Sequence, residues 1–194
     1  MKYILALALL TLPAFADPVT TTALVTPTSF NNSVWNIQLQ TGDTSLNTAM
    51  ACIDYTRRAP VQGITYTANL STFTNLATTR NPSDVFKYTQ AAWLFTQLTD
   101  PANAPEHLSI QRAMWSLFSP PIGDAVALSW LDRSVTAANN FDTSRFIIIT
   151  PTGAFNSQEM IAKLPPAEVP EPATLALLGT GLGLLAHALK KRKA

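Results

Sequence analysis

The chain has 194 residues, of which 47% are hydrophobic and 13% charged, and its formal net charge is +1. That balance offers no basic patch of the kind nucleic acid needs, and one cysteine with two histidines makes no recognisable zinc set. No Gly-x-Ser-x-Gly elbow is present, so a conventional serine hydrolase lacks its nucleophile turn.

In chain order, the first segment is a leader. Met1-Lys2 is a short positive region, residues 3–12 are apolar, and 14-AFA-16 is a small-x-small cleavage site. The apolar run is too short for a stable span. The pattern predicts a secretory signal peptide over residues 1–16, cut after Ala16.

Residues 17–164 have the length of one domain with its own core. Strands are predicted at 19–25 and at 34–39, where Val34-Trp35-Asn36-Ile37-Gln38-Leu39 alternates. Gly42-Asp43 marks a turn. Residues 49–55 are a short apolar stretch around Cys52, strand or short helix, and 63–66 reads as a further strand. The centre is helical. Asn81-Pro82-Ser83-Asp84 is a start signal with a capping residue, and Val85, Tyr88, Ala92 and Phe95 follow at helical spacing. Asp100-Pro101 ends that helix. Asn103-Ala104-Pro105-Glu106 starts the next, which runs over 107–118 until Ser119-Pro120-Pro121 stops it. A third helix covers 124–138, with Val126, Leu128, Trp130, Leu131 and Val135 as its packing residues. The β-branched run 146–150 is a buried strand. These elements make an α+β domain, followed by a Pro-rich linker over 165–172.

The C-terminal end has three parts: Pro170-Glu171-Pro172, an apolar transmembrane segment over 173–189, and a basic tail over 190–194. Seventeen residues give about 25 Å of helix, enough for a thin bilayer, with the basic cluster cytoplasmic by the positive-inside rule. A plain membrane anchor has the same composition. His187 inside the run reads as incidental. The order resembles the PEP-CTERM sorting signal of Gram-negative bacteria. That resemblance implies processing near the motif by an exosortase, transient membrane anchoring, and release to the cell surface or extracellular matrix. Without leader and tail, 8 basic residues face 12 acidic ones, a net charge of about −4.

A lone cysteine in an exported chain has no internal disulfide partner. It is either a small buried hydrophobe or a thiol with a covalent use. Gln111 shares a helix face with His107, Met114, Trp115 and Phe118, and an amide buried there without partners would cost a few kcal/mol. A hydrogen bond to a strand carbonyl is one account of it. The pair of stretches 51-ACIDY-55 and 110-IQRAMW-115 also resembles the thioester domains of bacterial surface adhesins. That resemblance implies a β-sheet or partial barrel with a packed helical subdomain of about three helices. It further implies a bond from the Cys52 sulfur to the Gln111 side-chain carbonyl. Gln90, in 88-YTQAAW-93, has its Trp at +3 rather than +4 and fits less well.

On that reading Asp54 orients the cysteine segment, His107 moves a proton, and Met114, Trp115 and Phe118 exclude water. Tyr55 and Tyr88 are further candidate donors to the carbonyl. The product of attack by an amine would be an amide from Gln111 to a surface protein, or an ester if a polysaccharide hydroxyl attacks. The protein would then be a single-use covalent binder rather than an enzyme, without cofactor or metal. Two alternatives remain at this point: a Cys52–His107 nucleophile pair, and a non-catalytic matrix protein whose Cys52 is only buried.

Overall fold

A computed structural model describes residues 21–122, 124–155 and 157–166. The chain divides into two compact units, Met1–Leu164 and Pro165–Ala194, and the fold below is that of the first. The expected leader (1–16), the Pro170-Glu171-Pro172 motif, the apolar run 173–189 and the tail 190–194 lie outside the described residues. Among the described residues no helix is long and apolar enough to cross a membrane.

Six strands form a closed antiparallel barrel in the order β1-β2-β3-β6-β5-β4: β1 (Thr21–Asn31), β2 (Val34–Thr41), β3 (Thr44–Cys52), β4 (Tyr66–Thr72), β5 (Phe146–Pro151) and β6 (Met160–Lys163). Three helices, α1 (Val85–Leu98), α2 (His107–Ser116) and α3 (Ala125–Ala138), are inserted between β4 and β5. The class is α+β, a barrel with a packed helical layer.

Two tight turns set the register of the first three strands. Asn32 and Ser33 both have positive φ (48° and 69°), as a two-residue type I′ hairpin turn requires. Gly42 has φ 55° at the first central position of the second turn, where a side chain would be strained. Pairing then runs from Thr41↔Thr44 back to Trp35↔Met50.

Side chains alternate across each strand, and the barrel uses this to build two cores. Val25, Trp35, Ile37, Leu39, Met50, Cys52, Ile147, Ile149 and Met160 point inward. Ala51, Ile53, Phe146, Ile148 and Ile161 point outward, beneath the helices. β5 is therefore buried on both faces, which explains its continuous β-branched run.

The helices follow the predicted order with local differences. α2 is preceded by a 3-10 turn (Pro101–Glu106) whose first residues Asp100 caps by accepting from the Ala102 N–H at 2.9 Å. Asp84 precedes α1 without a side-chain capping bond and pairs with Lys87 at 3.2 Å instead. Asp124 does cap α3, accepting from the Ala127 N–H at 2.8 Å.

Of the α3 residues expected to pack, Trp130 is buried and Leu131 packs against the helical core, whereas Val126, Leu128 and Val135 are exposed and Ala127, Ser134 and Ala138 are buried. Small residues let α3 approach closely, and the Gln90 amide reaches Ser134 Oγ at 2.8 Å across that contact. The strand expected at 63–66 begins at its last residue, Tyr66, and β6 was not anticipated.

Candidate functional site

β3 ends at Cys52, whose side chain points into the barrel while Ala51 and Ile53 face the helices. The strand end is held on its β6 side. Cys52 pairs with Met160, and the Ile53 N–H donates to the Glu159 carbonyl at 2.9 Å.

Successive residues of α2 are rotated by about 100°. Ile110, Ala113, Met114 and Leu117 therefore face the helical core, and Gln111 and Trp115, one turn apart, form the neighbouring stripe against the end of β3. Gln111 is 2% exposed and its Nε2 donates to the Cys52 carbonyl oxygen at 2.6 Å. Its carbonyl oxygen accepts no hydrogen bond among the described residues.

Cys52 and Gln111 line one cavity of about 300 Å³. Its walls are aromatic. Phe30 packs on Trp35 with ring centroids 4.6 Å apart, and Tyr55 packs on Trp115 at 4.8 Å. Ser33, Ala59 and Gln158 complete the lining, and no charged side chain contributes. The Trp115 indole N–H is buried without an acceptor.

Cys52 is a free, buried thiol with its pKa pushed up to about 12. Burial is the main cause, since a thiolate would lose its hydration. A hydrogen bond from the Trp35 side chain works against that rise, and the Asp54 charge adds to it.

A buried polar network ties the cysteine segment to the rest of the fold. Asp54 accepts from the Thr56 N–H (2.9 Å) and hydroxyl (2.6 Å) and forms an ion pair with Arg80. Arg80 also donates to the Ser157 carbonyl. Glu159, 1% exposed, accepts from the Arg80 N–H (3.0 Å), the Thr150 hydroxyl (2.7 Å) and the Tyr88 hydroxyl (2.6 Å).

The other singled-out residues are distributed as follows. Met114 is fully buried in the helical core, and Phe118 packs on Tyr88 at 4.8 Å, so of the expected wall only Trp115 reaches the cavity. Tyr88 is committed to Glu159, whereas Tyr55 lines the cavity. His107 is not brought to Cys52. It lines a different cavity with Asn31, Asn32 and Val34, with Nε2 3.4 Å from the Asp100 carbonyl oxygen. Val34 and Trp35 are consecutive and point to opposite faces of β2, which separates the two cavities. Gln90 is bound to Ser134 between α1 and α3, away from Cys52. Among the described residues no three His, Cys, Asp or Glu side chains group as metal ligands.

Phe30, Ser33, Trp35 and Gln158 were missed from sequence. Trp35 had a readable signal: the turn at Gly42-Asp43 pairs it with Met50, on the same face as Cys52. Gln158 had none, because it follows an irregular segment and precedes a four-residue strand.

Residues 168–193 match the family model of the PEP-CTERM protein-sorting motif. No curated protein matches the chain. Among solved structures, the chain is similar to the N-terminal thioester domain of a surface protein from Clostridium perfringens, at 13% identity and a TM-score of 0.43. That alignment covers 73% of this chain and 97% of the other.

Proposed function

We infer that the PEP-CTERM sorting motif matched over residues 168–193 marks the chain for export and for exosortase processing. We propose that its body is a single-use covalent binder at the cell surface or in the extracellular matrix, built on an internal thioester between Cys52 and Gln111. One observation carries this reading: the Gln111 amide nitrogen lies 2.6 Å from the Cys52 carbonyl oxygen, with both residues buried beside one aromatic-walled cavity.

The chemistry balances in two steps. The Cys52 sulfur bonds to the Gln111 side-chain carbonyl carbon, the carbon–nitrogen bond breaks, and the thiol proton leaves with the nitrogen as ammonia. An external amine then bonds to that carbon, the carbon–sulfur bond breaks, and the amine proton passes to sulfur. An ordinary amide needs near-attack geometry, with the Cys52 sulfur held against the Gln111 carbonyl carbon, and the cavity both residues line is where the two would meet. The buried Trp115 N–H is the donor at hand for the carbonyl oxygen as charge develops on it. Buried Trp35 and half-buried Trp115 limit access of the water that would hydrolyse the thioester, whereas Phe30 and Tyr55 are exposed. Burial pushes the free thiol's pKa up to about 12, so bond formation relies on held geometry rather than on a standing thiolate. Asp54 acts through Arg80 to hold the cysteine segment, and His107, which lines a different cavity, is given no proton-transfer role.

A second reading rests on the same contact. The Gln111 bond to the Cys52 carbonyl oxygen also satisfies a buried amide without any covalent step, leaving a matrix protein with a merely buried cysteine.

The test is incubation with methylamine followed by peptide mapping. The thioester predicts one methylamide, at Gln111, and release of one titratable thiol. No adduct at Gln111 favours the second reading. Gln90→Ala serves as the control. It is expected to cost about 1–3 kcal/mol, because the Gln90–Ser134 bond is buried, and to leave methylamine addition unchanged. A thermal melt and the same map check both halves.

A further inference from the structure

A second cavity, of about 510 Å³, abuts the Cys52–Gln111 cavity. Ala59 lines both. The sequence neighbours Tyr55 and Thr56 divide between them, as do Gln158 and Ser157. The two cavities differ in chemistry. The first has no charged lining residue, and the second holds Arg57 and Arg58 with the hydroxyl residues Thr56 and Ser157 and no carboxylate.

The arginines are incompletely neutralised. Arg57 Nε is 3.5 Å from Asp54 Oδ2, but Asp54 is also paired with Arg80. The Arg58 guanidinium is exposed and has no partner among the described residues. The backbone around it is fixed: the Arg58 carbonyl oxygen accepts from the Ser157 hydroxyl and the Gln158 N–H, both at 2.9 Å, and the Arg57 carbonyl oxygen accepts from Gln158 Nε2 at 2.9 Å. A fixed loop that presents two guanidinium groups suits a carboxylate, which arginine binds through paired N–H donors.

We propose that the Arg57–Arg58 cavity is an anion subsite for the target whose amine attacks Gln111. The protein then selects a lysine that lies close to an aspartate or glutamate in an acidic polypeptide. This rests on the thioester reading. The apolar stem of lysine crosses the aromatic walls, its nitrogen reaches the acyl carbon, and the neighbouring carboxylate docks on the arginines. The covalent step is the aminolysis already written, with the amine proton passing to the Cys52 sulfur and nothing oxidised or reduced.

The experiment compares adduct formation at Gln111 by a series of ω-amino acids, from glycine to 8-aminooctanoate, with neutral alkylamines of equal length. One ω-amino acid length is expected to react roughly five- to tenfold faster than its neutral counterpart, the gain from one charge-assisted contact at a partly exposed site. Added salt should reduce that gain. Arg58→Gln should remove it while leaving the neutral amine rate unchanged, and Arg57→Gln, which also loosens Asp54, is a second variant. Equal rates at every length would overturn the proposal, as would a preference that survives Arg58→Gln. An amine-free uronate oligosaccharide that forms an ester faster than any amino acid forms an amide would overturn it in favour of an acidic polysaccharide. Addition of neutral amines without any preference defeats the subsite alone. The absence of every adduct defeats the thioester as well.

Discussion

Cys52→Ala is expected to abolish methylamine addition at Gln111 while leaving the barrel folded. The side chain removed is small and sits at the end of β3, so the cavity it leaves costs about 1 kcal/mol. The Gln111 amide bonds to the Cys52 backbone rather than to its sulfur, so that contact survives the substitution. Loss of capture in a protein that still melts cooperatively is then attributable to the sulfur and not to a displaced glutamine. Gln111→Ala has the same effect on capture by a different route. It removes the acyl carbon and leaves Cys52 as a free thiol. The readouts are the Gln111 peptide after methylamine treatment and the thiol count after unfolding. A Cys52→Ala protein that still acquires methylamide at Gln111 would contradict the thioester.

Glu159→Ala carries the largest expected effect on stability, a loss of about 3–5 kcal/mol. Its side chain accepts from three donors that arrive from separate parts of the chain: the Arg80 backbone, the Thr150 hydroxyl and the Tyr88 hydroxyl. Truncation leaves those groups buried with water excluded. Glu159→Gln should be far milder. An amide oxygen in place of Oε1 still accepts from the Arg80 N–H and from Thr150, and the amide nitrogen in place of Oε2 can donate to the Tyr88 oxygen. Denaturant midpoints of the two variants check the contrast. Equal losses would mean that packing, rather than hydrogen bonding, sets the cost.

The contrast between Cys52 and Glu159 shows where the sequence was legible. Alternation in 34–39 and the Gly42-Asp43 turn mark β2 and its hairpin, because strand period and turn geometry are local, whereas the stretch around Cys52 read equally as strand or short helix and is the end of β3. The helix limits were equally local, with Asp100, Asp124 and the prolines marking them. The α3 face was read only in part: Trp130 and Leu131 pack as expected, but the rest of the buried side is Ala and Ser, which carry little hydrophobic signal, while valines and a leucine face outward. Barrel closure depends on β6, four residues whose pairing with β3 and β5 joins distant parts of the chain. Glu159 and Gln158, just before that strand, were unreadable for the same reason. On α2, spacing placed Gln111 and Trp115 together correctly, but it also grouped Met114 and His107 with them. A helix stripe runs past several neighbours, and only the three-dimensional packing decides which residue meets which cavity.

The central claim is a covalent bond between two named side chains, and intact mass after acid denaturation tests it most directly. Alkylation of the native protein is uninformative, because a buried thiol whose pKa is pushed up to about 12 reacts slowly whether or not it is bonded. Mass does not depend on access. The thioester predicts a protein lighter by one ammonia than its sequence requires, and a proteolytic digest in which the peptides bearing Cys52 and Gln111 are joined. Full mass, with the two peptides separate and Cys52 alkylated once the chain is unfolded, would contradict it.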